Sequence, residues 1–122
     1  MKEPKTILIK DSETIESHDI DGIKRKILFT PTMDGNRHLR FASVEVAPGS
    51  VAPLHSHPGD EVALTLSGSA TLFVDGQEYE VSEGTAVLLP PGVEHSAQNT
   101  GSENWIVVSA YCDECPLLKK PS

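Results

Sequence analysis

Residues 49–68 read GSVAPLHSHPGDEVALTLSG, and this stretch decides what kind of fold the chain can form. Val51–His55 and Glu61–Ser67 are short β-prone runs, with Pro58-Gly59-Asp60 between them as a turn that can bring the second strand back beside the first. On an extended chain alternate side chains share a face, so His55 and His57 project the same way. By the same rule Glu61, Ala63 and Thr65 share one face, and Val62, Leu64 and Leu66 the other.

Outward from this stretch the pattern persists. Upstream, Thr6–Lys10, Gly22–Thr30 and Arg37–Val46 read as strands, the last with Leu39 and Phe41 offset from Arg40 and Ala42. Downstream come Ala70–Asp75, Gln77–Val81, Thr85–Leu89, His95–Gln98 and Asn104–Tyr111. Asp75-Gly76 is a tight-hairpin signal, because a primed turn needs residues that accept positive φ. Ala47-Pro48-Gly49 and Pro90-Pro91-Gly92 are stops, since no central strand passes through such proline. About nine or ten short strands and no sustained helical period predict an all-β domain, a small antiparallel β-barrel or sandwich without helices. Residues 1–48 are expected to be N-terminal strands of the same barrel, 49–112 its core, and 113–122 a tail.

The composition agrees with one such domain. A chain of 122 residues, 38% hydrophobic and 23% charged, buries a single core and is too apolar for disorder. Its net charge of −8 repels phosphate backbones and anionic lipid, so nucleic acid and membrane surfaces are not expected partners. No apolar run approaches the ~18–20 residues of a membrane helix, and the N-terminal MKEPKTILIKDSE lacks the apolar core of a secretory signal. Only two cysteines are present, close together, so no disulfide framework is predicted. A cytoplasmic protein is the expectation.

Three of the five histidines fall where strand geometry can gather them. His95 follows the Pro90-Pro91-Gly92 turn at the start of a strand, and a curved sheet could bring it to His55, His57 and Glu61 inside one barrel. Three imidazoles and a carboxylate suit one divalent transition metal, with positions left for water or substrate. Asp60 is a competitor for Glu61, but alternation sends it to the opposite face. His18, in the polar run SHDID, and His38, beside Arg37 and Arg40, read as surface residues.

These residues carry a family resemblance. Gly49, His55, His57, Glu61 and Gly68, at their spacing, resemble the first motif of the cupin superfamily. Gly84, Pro90-Pro91-Gly92, His95 and Asn99 resemble the second, and the 15 residues between Gly68 and Gly84 are similar to the spacer of small microbial cupins. The resemblance implies a double-stranded β-helix (jelly roll), metal ligation by His55, His57, Glu61 and His95, and commonly a homodimer. The metal would be Mn, Fe, Ni, Zn or Co. It also implies a range of small-molecule chemistry, including dioxygenases, decarboxylases, isomerases and lyases. GIKRKILF with Ser109 and Tyr111 resembles the cupins that open uronate sugars, although those often replace the glutamate that is present here.

Around the metal, small residues on the Glu61 face would leave room for a modest ligand. The bulkier face of that strand then needs cover, from the N-terminal strands or from a second subunit. On the last strand Trp105, Val107, Ser109 and Tyr111 form one alternating set and Ile106, Val108 and Ala110 the other, and either could face the cavity. If the first does, Ser109 and Tyr111 reach a bound substrate, Tyr111 as acid or hydrogen-bond donor. Arg40 is a candidate for holding a carboxylate. Cys112 and Cys115 form a C-x-x-C pair, but no further ligands complete a zinc site, and reduced thiols near a terminus are the expectation. The function these features predict is a metal-dependent enzyme acting on a small organic molecule. The alternative is a non-catalytic module that binds or senses one.

Overall fold

The protein is described over residues 7–112 by a computed structural model. Ten strands alternate inward and outward side chains: β1 (His18–Ile20), β2 (Ile23–Phe29), β3 (Arg40–Val46), β4 (Val51–His55), β5 (Glu61–Ser67), β6 (Ser69–Val74), β7 (Gln77–Ser82), β8 (Ala86–Leu89), β9 (His95–Gln98) and β10 (Trp105–Tyr111). They pair antiparallel in two sheets, one ordered β1-β2-β3-β10-β5-β8 and the other β4-β9-β6-β7. From β3 to β10 the chain crosses repeatedly between the sheets, as in a double-stranded β-helix: apart from the β6–β7 hairpin, consecutive strands there belong to different layers, as β4 and β5 do.

The buried side chains come from both sheets, Val46, Trp105 and Val107 from one and Ala70, Leu72, Val81 and Ala97 from the other. The indole N–H of Trp105 donates to Thr65 Oγ1 at 3.0 Å, which satisfies the one polar atom a buried tryptophan brings with it.

Turn chemistry sets the corners. Asp75 and Gly76, at φ 51° and 80°, form the two-residue turn that pairs Val74 with Gln77. Gly68 is needed for two reasons: its φ is +79°, and a Cβ there would run into the backbone of Asn104 and Trp105. Next to it the β5–β10 register shifts between Ile106 and Val107. Asn99, fully buried, ties three segments together: its amide donates to the carbonyls of Val46 (2.8 Å) and Glu103 (2.7 Å), and its Oδ1 accepts from Gly101 N–H (2.9 Å).

Two expectations need correction. A four-residue helix, α1 (Pro31–Asp34), interrupts the all-strand reading. Thr30 caps it through Oγ1, which accepts from Met33 N–H at 3.1 Å; Pro31 opens it, and left-handed Gly35 ends it. One turn is too short to register as a period. The segment Ile7–Lys10 is not a strand. Lys10 instead sends its Nζ to the Leu28 carbonyl (2.6 Å) and over the Phe29 ring (4.5 Å), so side-chain contacts rather than a ladder fasten this stretch to β2. β1, short and polar, was not anticipated. Cys115, Thr6 and the tail at 113–122 lie outside the described residues.

Candidate metal centre

His55 ends β4, Glu61 begins β5 and His95 begins β9, while His57 sits in the turn that joins the first two. Two ladder and turn contacts bring them together. His55 and His95 are register partners across β4 and β9, with ring centroids 4.2 Å apart. The Gly92 N–H donates to the His57 carbonyl at 2.8 Å, which locks the Pro90-Pro91-Gly92 corner onto the turn carrying His57. One donor atom from each of the four residues then lies within 4.8 Å of all the others.

Glu61 is the hinge of the cluster. Its Oε1 is buried and has no hydrogen-bond partner among the described residues, yet it stands 3.2 Å from His57 Nε2 and 3.3 Å from His95 Nε2. The imidazole orientations explain why. His55 Nδ1 is 2.7 Å from the Pro53 carbonyl and His95 Nδ1 3.1 Å from that of Val93, each two residues back along its own chain. A carbonyl only accepts, so Nδ1 carries a proton in each ring, and in the neutral form that metal binding uses Nε2 presents a lone pair. In that form the Glu61 carboxylate oxygen and the His95 nitrogen face each other lone pair to lone pair. A shared cation relieves that arrangement. Two ligands at about 2.1 Å from one ion, at angles between octahedral and tetrahedral, sit roughly 3.0–3.4 Å apart, which matches the two Glu61 spacings. The four residues could hold a metal ion, and the hard-to-borderline N₃O donor set fits a divalent first-row one.

The other residues singled out from sequence divide clearly. Ser109 and Tyr111 face the cavity with Trp105 and Val107, so the first alternating set of β10 points inward. Tyr111 stacks on His57, centroids 4.1 Å apart and planes 25° from parallel. Arg40 is the register partner of Tyr111 and holds its guanidinium 5.9 Å from that ring, but it does not line the cavity. Asp60, His18 and His38 lie outside the cluster; Asp60 and His18 are exposed and His38 is half-buried. Cys112 is half-buried just past β10. Sequence reasoning overlooked Arg25, an exposed residue of β2 that lines the cavity. Its signal was the alternation of GIKRKILF, which puts Arg25 on the face of Ile23 and Ile27.

The cluster forms part of the wall of a cavity of about 320 Å³ that lies between the sheets and opens to solvent. A double-stranded β-helix with a His₃Glu cluster opening on an interior cavity defines a class of small β-barrel with a metal-capable, ligand-sized site. Within that class the assignment is specific: residues 42–111 match the family model described as "Cupin domain", more than half of the chain, and the protein belongs to the cupin family.

Relatives carry different names. A "Germin-like protein" from Morus alba is 30% identical over 87 residues, covering 66% of this chain and 42% of the relative. The "HTH-type transcriptional regulator PuuR" of Escherichia coli (strain K12) is 26% identical over 110 residues, covering 89% of this chain and 57% of the regulator. The chain thus spans about half the length of these curated relatives. Among solved structures, the polyketide cyclase RemF from Streptomyces resistomycificus superposes with a TM-score of 0.79 at 20% identity, covering 91% of this chain and 82% of that one. That likeness concerns the fold.

Proposed function

We propose that His55, His57, Glu61 and His95 bind one divalent transition-metal ion, and that the protein is a metal-dependent enzyme acting on a small organic molecule held in the adjoining cavity. The observation that carries this reading is the convergence of four donor atoms within 4.8 Å on the wall of a 320 Å³ cavity, with the Glu61 carboxylate oxygen buried and unpaired. Bound there, Mn, Fe, Ni, Zn or Co would act as a Lewis acid on a coordinated oxygen. The chain's own residues have separable tasks. The Pro53 and Val93 carbonyls fix the tautomers of His55 and His95. Tyr111 holds the plane of His57, and it lines the same cavity with Ser109. Whether the reaction is of dioxygenase, isomerase, lyase or decarboxylase type is a question for substrate trials.

Metal analysis of protein purified without chelator or nickel resin tests the site. One ion per chain is expected, and its loss in Glu61→Gln and in His57→Ala. Full occupancy in both variants would sink the reading.

A second reading, a non-catalytic module that binds or senses a small ligand, draws support from the match of 89% of this chain to a transcriptional regulator. Ligand binding without turnover by the metal-loaded protein, under air and under anaerobic conditions, would favour it.

We also propose a homodimer. The outward face of β5 exposes Val62, Leu64 and Leu66, and Leu88 of β8, the register partner of Val62, is 63% exposed beside them. The N-terminal strands lie elsewhere in that sheet, so among the described residues this face is uncovered, and contiguous apolar surface of this kind is uncommon on a monomer. We further propose a cytoplasmic setting, which a chain with only two cysteines fits and which cell fractionation tests.

A further inference from the structure

The cavity is chemically lopsided, and the strand register gives the direction. Arg40, Tyr111, Glu61 and Leu89 form one row across β3, β10, β5 and β8, at the end of the sheet where the metal-capable cluster sits. From that row the inward side chains run away along each strand. On β5 they are Ala63 and then Thr65; on β10, Ser109, Val107 and Trp105; on β3, Ala42, Val44 and Val46. Leu72 and Val81 of the other sheet close the opposite side.

Polar groups thin out along this path. The Thr65 hydroxyl accepts from Trp105 and the Thr85 hydroxyl from the Ser82 N–H at 3.2 Å, which leaves each its own proton to offer; with Ser96 and Ser109 these are, among the described residues, the only hydroxyls on the wall besides that of Tyr111. The one charged side chain on the wall outside the cluster, Arg25, is exposed to solvent. A polyhydroxylated molecule filling this space would bury hydroxyls against Val44, Val107, Leu72 and Val81 without partners, at roughly a tenfold cost in affinity for each. An apolar body in the same place gains from every methylene it hides.

We propose that the ligand of this site is a compact molecule with its metal-binding oxygen atoms at one end and an apolar body that occupies the space between Ala63 and Trp105. The proposal rests on the metal-binding reading above and adds the class of molecule. A cavity of about 320 Å³ is at the lower end of the range for organic ligands, which sets the scale of that body. Sugar acids and small diacids are disfavoured, the first by their hydroxyls and the second because they leave the apolar part of the cavity unfilled.

A series of straight-chain hydroxamic acids tests this, because the two-oxygen head stays constant while the tail grows. Cobalt(II)-loaded protein is titrated with aceto-, butano- and hexanohydroxamate, and with oxalate and galacturonate, reading the visible cobalt spectrum and heat of binding. Affinity is expected to rise about two- to fourfold per methylene, with hexanohydroxamate ahead of both acids. In Ala63→Phe, where the new ring fills the space beside Glu61, cobalt stoichiometry should hold while the tail dependence disappears. Cobalt bound with a flat series, or with oxalate or galacturonate preferred, overturns the ligand class and leaves the metal reading standing. A steep series that survives Ala63→Phe overturns the placement of the tail. Failure to bind cobalt at all overturns the metal reading and this proposal with it. The wild-type series decides the matter even where Ala63→Phe does not fold.

Discussion

The phenol ring of Tyr111 lies against the imidazole of His57, centroids 4.1 Å apart and planes 25° from parallel. One residue ends the last strand of the larger sheet, and the other sits in the turn leaving the first strand of the smaller one. Tyr111 is also the register partner of both Glu61 and Arg40. A residue 54 positions from His57 in sequence thus fixes the plane of a candidate metal ligand.

This contact makes Tyr111 a positioning residue, with a split expected between two variants. Tyr111→Phe keeps the stacked ring and should bind metal as the wild type does. Tyr111→Leu loses the aromatic contact, of about 0.5–1.5 kcal/mol, and should weaken metal binding up to about tenfold. Equilibrium dialysis measures the affinities, and thermal melts of the metal-free proteins report how much of the loss is stability alone. Equal affinities in both variants would remove the role.

Gly68 sits at a corner that no side chain can share. Gly68→Ala adds a Cβ against the Asn104 and Trp105 backbone and forces an alanine to positive φ. A loss of more than about 1 kcal/mol in stability is expected, read by urea denaturation. Gly76→Ala, also at positive φ but with open space around it, should cost less.

Asp34 provides a pH-dependent contribution to stability. Burial raises its pKa, but hydrogen bonds from the Asn36 side chain and backbone and from the Thr30 N–H, with Lys10 nearby, outweigh it and hold the carboxyl below its ordinary value. The Thr30 and Asn36 N–H groups donate at 3.0 and 3.1 Å. A lowered folded-state pKa means that the stabilisation is whole above the ordinary carboxylate range and is lost as pH falls through the lowered value. The stability gap between wild type and Asp34→Ala should therefore be largest near neutral pH and narrow in acid, as melts across that range would record.

The exposed face of β5 and β8 predicts the response of the assembly to charge. Leu64→Glu and Leu88→Glu place a carboxylate in the apolar patch, where a dimer would have to bury it. Sedimentation velocity should find wild type dimeric and both variants monomeric, with the fold retained by circular dichroism. A monomeric wild type, or dimers in all three, would reject this face as the interface.

Much of the site was legible in the chain itself. The two-residue repeat of a strand pointed to His55 and His57 together, although His57 lies in the turn beyond β4, and Pro90-Pro91-Gly92 marks the corner from which His95 emerges. Asp60 could be set aside for the same reason of alternation. The facing of β10 could not be read, because both of its alternating sets are rich in apolar residues. Arg25 went unnoticed because a basic side chain in a run of three reads as solvated surface, and α1 because one capped turn has no period. Thr6–Lys10 read as a strand, but pairing depends on a partner edge, and a sequence pattern describes only one side of a ladder.

Local physics, in residue types, a repeat of two and turns that only glycine and proline make well, thus pointed to an all-β domain and to the four residues of the candidate centre, while the choice of barrel and of metal ligands rested on the resemblance of the two motifs. What the tertiary structure decided is everything that depends on which strands meet. It set Tyr111 against His57, buried the Glu61 oxygen between two imidazoles, and ran an apolar cavity from Glu61 toward Trp105. Most of those relationships join positions far apart in the chain, Tyr111 to His57 by 54 residues, Glu61 to His95 by 34 and Thr65 to Trp105 by 40, and are set by register and sheet order, which no single strand encodes alone.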